Sequence, residues 1–319
     1  MNIKLSILLI LVLFGLLLLP MNSAYGQQES QYTQYMYNTM HFNPGYTGSR
    51  GSLNMTGIYR NQWVGLDGAP KTLTFGMHSP IGVQGVGLGL GFMSDQIGPS
   101  SQSFIEADFS YTINVAEELK LSFGVRGGLS LLDVDPSKLL IYDPNDYNLE
   151  RKNYSSPRVG AGAYLYADNW YVGLSSPNFL ETEHFDDVVV ATATEKAHFY
   201  LMGGYVFTLN PDLKLKPAFL AKAVSGAPLS VDVSANLLMY ERVTLGVAWR
   251  WDAAVSALAG FQVNDNIFVG YAYDYETTEL GRYNHGSHEV FLRFELGTKF
   301  NGKVNPRFFE RREKRTKIN

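Results

Sequence analysis

Cysteine is absent from the 319-residue chain. That excludes a disulfide framework, a thiolate metal site, a cysteine nucleophile and a lipid anchor on an N-terminal cysteine. Charge is scarce too: 18% of residues are Asp, Glu, Lys or Arg, against 45% hydrophobic, a low share for a soluble domain. The formal net charge of −4 speaks against a general nucleic-acid binder, and no nucleic-acid partner is expected. Long apolar runs are limited to one, Leu5 to Leu19, shorter than the ~20 residues that span a bilayer as a helix. Lys4 precedes it, Pro20 and Asn22 break it, and Ala24-Tyr25-Gly26 puts small residues at the −3 and −1 positions of a cleavage site. Residues 1–26 therefore read as a secretory signal peptide. If the remainder lies in a membrane, it is not there as helices.

What the chain has in quantity is aromatic residues (13%, with 20 Tyr and 19 Phe) and 31 Gly, a mixture that suits membrane strands with aromatic girdles and tight turns. Period-2 alternation dominates after residue 50. Val243, Leu245, Val247, Trp249 and Trp251 alternate with Arg242, Thr244, Gly246, Ala248 and Arg250, and Val290, Leu292, Phe294 and Leu296 alternate with Glu289, Phe291, Arg293 and Glu295. Successive strand side chains point to opposite faces, so each stretch has an apolar face and a polar one. Fourteen such stretches can be marked: 52–61, 70–79, 85–94, 102–114, 118–132, 158–167, 169–175, 197–209, 212–223, 228–240, 242–251, 253–263, 266–275 and 287–300. Most approach the ~9–11 residues of a tilted transmembrane strand.

The connections sort by length. Those near 62–69, 95–101, 133–157, 176–196, 224–227 and 276–286 read as mostly long. The intervening ones, such as Ala167-Asp168-Asn169, Asn210-Pro211-Asp212 and Asn264-Asp265-Asn266, are short and rich in turn-forming residues. Outer-membrane barrels have short periplasmic turns and longer extracellular loops. The pattern predicts an all-β transmembrane antiparallel up-and-down barrel over 52–300 with about 14 strands, both its ends on the periplasmic side. Residues 27–51 read as a periplasmic or plug-like N-terminal segment outside the wall. Residues 301–319 read as a basic periplasmic tail, with seven Lys or Arg against Glu310 and Glu313, either a solvated end or a docking element for an acidic partner or for anionic head groups.

No G-x-S-x-G, H-E-x-x-H, Walker or dinucleotide fingerprint occurs. The glycine run from Gly85 to Gly91 sits in an alternating stretch with no helix after it, so close packing explains it better than phosphate binding. His184 with Asp186 and Asp187, and His285 with His288 and Glu289, lack the spacing of a metal motif. No cofactor and no catalytic or metal site is expected. The lumen-facing parity collects Glu106, Asp108, Lys120, Arg126, Lys214, Lys216, Asp232, Arg242, Arg250, Asp274, Glu289, Arg293 and Glu295. Mixed signs point to internal pairing or a generic polar lumen rather than an ion filter.

The segment Gln34-Tyr35-Met36-Tyr37-Asn38, followed by Asn43-Pro44-Gly45-Tyr46-Thr47-Gly48, resembles the opening of the PorP/SprF family. The resemblance continues at Tyr59-Arg60-Asn61-Gln62-Trp63, Gly68-Ala69-Pro70-Lys71-Thr72 and Ser79-Pro80, and closes at Gly286-Ser287-His288-Glu289. Gly45 departs mildly from the family's frequent Ala. The resemblance implies an outer-membrane barrel associated with type IX secretion and gliding. Its partners would be periplasmic ring and lipoprotein components, outer-membrane lipid, and a secreted surface adhesin bearing a C-terminal secretion domain. Asn43, Pro44, Arg60, Gln62, Trp63, Thr72, His288 and Glu289 become the candidate partner-binding or barrel-seam residues. If the last strand closes on the first, Arg60 and Glu289 share luminal parity and are expected to pair across the seam, with Gln62 and Thr72 nearby. A passive porin or small-solute transporter is the alternative function, and an outer-membrane hydrolase or acyltransferase a third.

Overall fold

The computed structural model describes residues 30–82, 84–138, 151–184 and 193–296. The signal-peptide segment 1–26, the tail 301–319, and Asp186 and Asp187 lie outside the described residues.

The wall is one antiparallel sheet of β1 (Leu53–Asn61), β2 (Lys71–Pro80), β3 (Val86–Ile97), β4 (Ser100–Asn114), β5 (Lys120–Val134), β6 (Lys152–Tyr166), β7 (Trp170–Ser176), β10 (His198–Tyr205), β11 (Phe207–Asn210), β12 (Leu213–Val224), β13 (Ser230–Met239), β14 (Val243–Arg250), β15 (Ala254–Gln262), β16 (Ile267–Glu276) and β17 (Ser287–Leu296). Two short strands, β8 (Thr182–His184) and β9 (Ala193–Glu195), form a separate hairpin in the connection between β7 and β10. Strand β17 pairs with β1 from Leu53↔Leu296 to Asn61↔His288, and β10 pairs with β12. Since β10 and β11 are one stave interrupted at Val206, the sheet closes as a 14-stranded barrel. Closure leaves no edge along the ladder, which is what lets strands cross a membrane.

The strands form where the alternation predicts them, with differences that have physical causes. The stretch predicted as 158–167 begins at Lys152. Its first residues, Lys-Asn-Tyr-Ser-Ser-Pro, are polar on both faces and give no hydrophobic period. The gap predicted as long near 95–101 is a tight turn at Gly98-Pro99, made by Gly98 at φ 54. The stave predicted as continuous over 197–209 breaks at Val206, next to Tyr205, which the flanking registers place across from Pro217. Proline has no N–H to give the ladder. Lys120 and Arg242, assigned to the lumen by parity, are exposed; they stand at the end of β5 and in the turn before β14, beyond the enclosed part of the barrel.

The protein is inside-out relative to a soluble fold. Outward residues such as Leu174 and Val247 are 60% and 63% exposed, while Arg60 and Glu289 are 2% and 0% exposed. Tyr59, Trp249, Trp251 and Tyr275 ring the outer face toward the end with the longer connections, and Tyr111, Tyr205, Phe207 and Phe261 toward the other, the aromatic belts of membrane barrels.

The N-terminal segment lies inside the wall. From Ser30 to Arg50 the chain threads the lumen as three short helical turns, Tyr35–Tyr37, α1 (Thr39–Phe42) and Pro44–Tyr46. Tyr32, Tyr35, Phe42, Asn43 and Tyr46 are all buried. Gln31 donates to Ser230, at the long-loop end of β13, while Arg50 and Ser52 reach Glu295, at the short-turn end of β17. The segment thus descends the whole lumen before β1 rises. The short-turn end, where β1 begins and β17 ends, is the side to which the sequence reading assigns the periplasm.

Val247 lies mid-strand on the lipid face of β14. Val247→Arg is expected to lower barrel stability by ~2–4 kcal/mol, measured by equilibrium refolding into lipid vesicles, whereas Ala248→Ser, on the luminal side, changes it much less. Equal effects at the two positions would contradict the assignment of faces.

Candidate functional site

Glycine makes the seat for the luminal segment. Gly87, Gly89, Gly124, Gly162 and Gly173 carry luminal parity on four wall strands, β3, β5, β6 and β7. A Cβ on Gly124 would overlap the backbone of Pro44 and Gly45, and one on Gly162 would overlap the Asn43 amide oxygen. Gly87 lies against the Thr47 carbonyl, and Gly89 against Met40 and Thr47. Glycine inside a strand marks a close approach of another backbone, and here the approaching backbone is the chain's own. Asn43, fully buried, accepts from the Gly45 N–H at 2.8 Å and donates to the Ala163 carbonyl at 3.0 Å. It caps the turn that Pro44 begins, as asparagine before a helical proline commonly does.

Charge supplies the second set of ties. Arg60 of β1 lies 2.7 Å from Asp274 of β16 and 3.2 Å from Glu289 of β17. Arg60 and Glu289 are direct register partners across the first-to-last seam. Glu289 also accepts the backbone N–H groups of Thr33 and Gln34 at 2.9 and 2.8 Å, and the Thr33 hydroxyl reaches Asp274 at 2.6 Å. A second cluster forms around Arg126, which grips Asp108 with two nitrogens at 2.7 and 2.8 Å and meets Glu106 at 3.0 Å. The same guanidinium donates to the Met40 and His41 carbonyls at 2.7 and 2.8 Å, satisfying the carbonyl end of α1 with a cation. Arg158 donates to Glu106 at 3.0 Å and lies over the Phe104 ring at 3.7 Å. Arg250 pairs with Asp232 at 2.7 Å and reaches the Tyr32 carbonyl at 3.4 Å, and Arg50 meets Glu295 at 2.9 Å. Tyr35 donates to the Ala218 carbonyl at 2.9 Å.

These clusters make a closure device. Two cavities between the segment and the wall, one lined by Tyr46, Arg50, Tyr164 and Lys216 and the other by Tyr32, Phe42, Lys222 and Asp232, hold about 10 Å³ each. That is room for about one water.

The predicted site residues separate into groups. Arg60, Glu289 and Thr72 face the lumen near the long-loop end, Thr72 donating to Asp95 at 2.5 Å. Asn43 and Pro44 belong to the segment seated on glycines. Gln62 and Trp63 lie at the rim: the Gln62 N–H bonds the Pro70 carbonyl, and Trp63, at φ 48, donates its indole N–H to Glu276 at 3.0 Å. His288 faces the outer side, 2.5 Å from the Tyr271 hydroxyl, opposite to Glu289, so the two do not converge as metal ligands. Among the described residues no three His, Cys, Asp or Glu side chains converge on one point. Sequence reasoning missed Asp95, Arg158 and Lys222 as luminal charges and did not locate the contacts of 30–50 with the wall. The available signal was the recurrence of glycine at luminal positions beside charges of both signs.

The family described as "Type IX secretion system membrane protein PorP/SprF" matches residues 24–294. No curated protein matches the chain. Among solved structures, the toluene transporter TbuX of Ralstonia pickettii is 9% identical, with 86% of this chain and 95% of that one aligned at a TM-score of 0.49. The monoaromatic hydrocarbon channel CymD is 11% identical, with 88% and 96% aligned at 0.48. The outer-membrane protein Omp33 of Acinetobacter baumannii is 9% identical, with 77% and 100% aligned at 0.43.

Because the chain has no cysteine, a single introduced thiol reports on the seat. Thr39→Cys, at a position 4% exposed, is expected to resist maleimide in the folded barrel. Adding Gly124→Ala should raise its labelling rate roughly tenfold or more, since that Cβ collides with backbone; Gly127→Ala, with no atom within 4 Å of the new Cβ, should leave it unchanged. Equal labelling in all three would mean that the segment is not seated on Gly124.

Proposed function

The chain belongs to the PorP/SprF family of type IX secretion membrane proteins, and from that premise we propose that it is a plugged outer-membrane accessory that binds and retains a secreted surface adhesin and contacts periplasmic machinery of the secretion apparatus. Membership and the closed barrel place it in the outer membrane. The observation that carries the accessory reading is the luminal segment. Its backbone N–H groups complete the Glu289 site, and its carbonyls complete the Arg126 site. A passive porin needs a wet path, and here polar groups that would line one are spent on the plug. Work then moves to the surfaces at the two ends. The long connections at one end are the natural contact for an adhesin carrying a C-terminal secretion domain, and the short-turn end with its basic tail 301–319 for periplasmic ring or lipoprotein components. His288, Trp63 and Gln62, at the outer wall and rim, remain partner-contact candidates on this reading; Arg60, Thr72 and Glu289 hold the wall and plug together.

Two measurements separate the readings. Affinity capture of the full chain from detergent-solubilised outer membranes is expected to recover a secreted adhesin together with periplasmic secretion components. Recovery of lipid and assembly factors alone would overturn the accessory reading. Reconstituted alone in planar bilayers, the chain is expected to show no steady conductance; a stable ohmic current would support the porin instead.

A further inference from the structure

Strand β6 is covered unequally on its two sides. It pairs with β5 along its whole length, from Lys152↔Val134 to Tyr166↔Lys120. On the other side β7 reaches it only from Ala161↔Ser176 to Tyr166↔Tyr171. The ladder fixes which backbone groups are left over. The Ala167 N–H bonds the Trp170 carbonyl at 3.0 Å, and the Val159 carbonyl accepts the Phe179 N–H at 3.0 Å. The odd-numbered residues of β6 therefore direct their N–H and C=O groups to the β7 side, and the even-numbered ones to β5. Asn178 ends the pairing beyond β7. Its side-chain oxygen takes the Val159 N–H at 3.2 Å and the Leu180 N–H at 3.2 Å, and its amide nitrogen donates to the Leu180 carbonyl. Past that point the N–H groups of Asn153 and Ser155, and the carbonyls of Asn153, Ser155 and Pro157, bond no described residue. All three residues are exposed. Pro157 itself stands at an open-side position, where a missing N–H takes nothing from the ladder. Open strand edges are not tolerated in lipid, and this one lies in water. Its outward side chains Asn153 and Ser155 are polar, and the lipid-facing row of β6 starts further along, at Val159. It opens at the long-loop end, the side that the sequence reading assigns to the cell surface.

We propose that the β6 edge from Asn153 to Pro157 is where the retained surface protein docks, by adding an extended strand of its own. The inference rests on the accessory reading above and names the contact it uses. An exposed edge is a template for another strand, and strand addition draws its affinity from main-chain hydrogen bonds. The occupant is therefore an extended segment with free N–H and C=O groups and no proline facing the edge. On the outer face its side chains would lie beside Asn153 and Ser155, which pair with Asp133 and Leu131 of β5. Asp133 is already held by Arg151 at 2.6 Å, so this face is neutralised and suits an uncharged strand.

The test uses the full chain in outer membranes and the complex captured from them. Ser155→Pro removes an open-side N–H and sets a ring against the incoming strand, yet takes no bond from the β5–β6 ladder. Ser155→Ala keeps the N–H. Capture of the surface protein that wild type recovers is expected to fall roughly tenfold with Ser155→Pro, the scale of one lost hydrogen bond with its buried partner left unmet. Ser155→Ala should capture as wild type, with equal amounts of folded barrel in all three. Should Ser155→Pro not fold, Asn153→Pro makes the same comparison. Amide exchange of the unmutated chain gives an independent readout. The Asn153 and Ser155 amides should exchange fast in the barrel alone and markedly more slowly in the complex, while those of Tyr154 and Ser156, bonded to β5, stay slow in both. Undiminished capture by the folded proline variant, or Asn153 and Ser155 amides unchanged by the partner, would overturn the proposal and leave the accessory reading standing. Protection of these amides in the isolated chain would assign the edge to the chain's own loops or to a second copy, and would overturn it too. Recovery of no surface protein by wild type would overturn the accessory reading and this inference with it.

Discussion

One guanidinium between two carboxylates leaves an excess negative charge inside the wall, and the barrel's closure rests on how that excess is met. Arg60 faces both Asp274 and Glu289, and the second carboxylate is satisfied by the N–H groups of Thr33 and Gln34. Taking such charges out of water is expensive, and removing one partner of a buried pair typically costs ~3–5 kcal/mol. The first strand, the last strand and the plug are therefore one electrostatic unit. Without the plug, Glu289 would keep only Arg60, shared with Asp274. Without the seam, the plug would lose its upper anchor.

The same logic repeats down the lumen with the sign of the contact reversed. At Arg126 the wall donates and the plug accepts, through the carbonyls that end α1. Past the Arg126 cluster, from Asn43 to Gly48, wall glycines take the place of side chains, so backbone meets backbone. A membrane barrel gains little from burying apolar side chains inside, because its apolar face already meets lipid. Charge pairing and close backbone packing hold the plug here together with the cluster that Tyr32, Tyr35 and Phe42 form with Tyr200, Phe268 and Phe291 of the wall.

The barrel was legible in the sequence because the code for it is local. Alternation of two faces sets each strand, and turn residues set the short connections, so even the pairing of Arg60 with Glu289 follows from parity once the first and last strands are placed side by side. The seat of the plug was not legible, since its determinants are distant from one another. Asn43-Pro44-Gly45 carries no mark of a partner, and Gly124, Gly162 and Gly173 look like ordinary strand glycines until the segment is laid against them. Polar stretches such as 152–157 were missed because they rise above the apolar band, where neither face needs to be hydrophobic. Loop length was a weaker guide than strand pattern, as the tight Gly98-Pro99 turn shows. The assignment of work to the rims is carried by the family match and by the filled lumen together.

The central claim is that residues 31–47 are a structural part of the wall rather than a loosely held leader. Hydrogen exchange of the folded barrel, resolved along the chain, tests it most directly. The account predicts that the Thr33 and Gln34 amides, held by Glu289, and the Gly45 amide, held by Asn43, exchange as slowly as mid-strand amides of β1 and β17. Exchange at the rate of the exposed 277–286 loop, with the wall itself still protected, would contradict it.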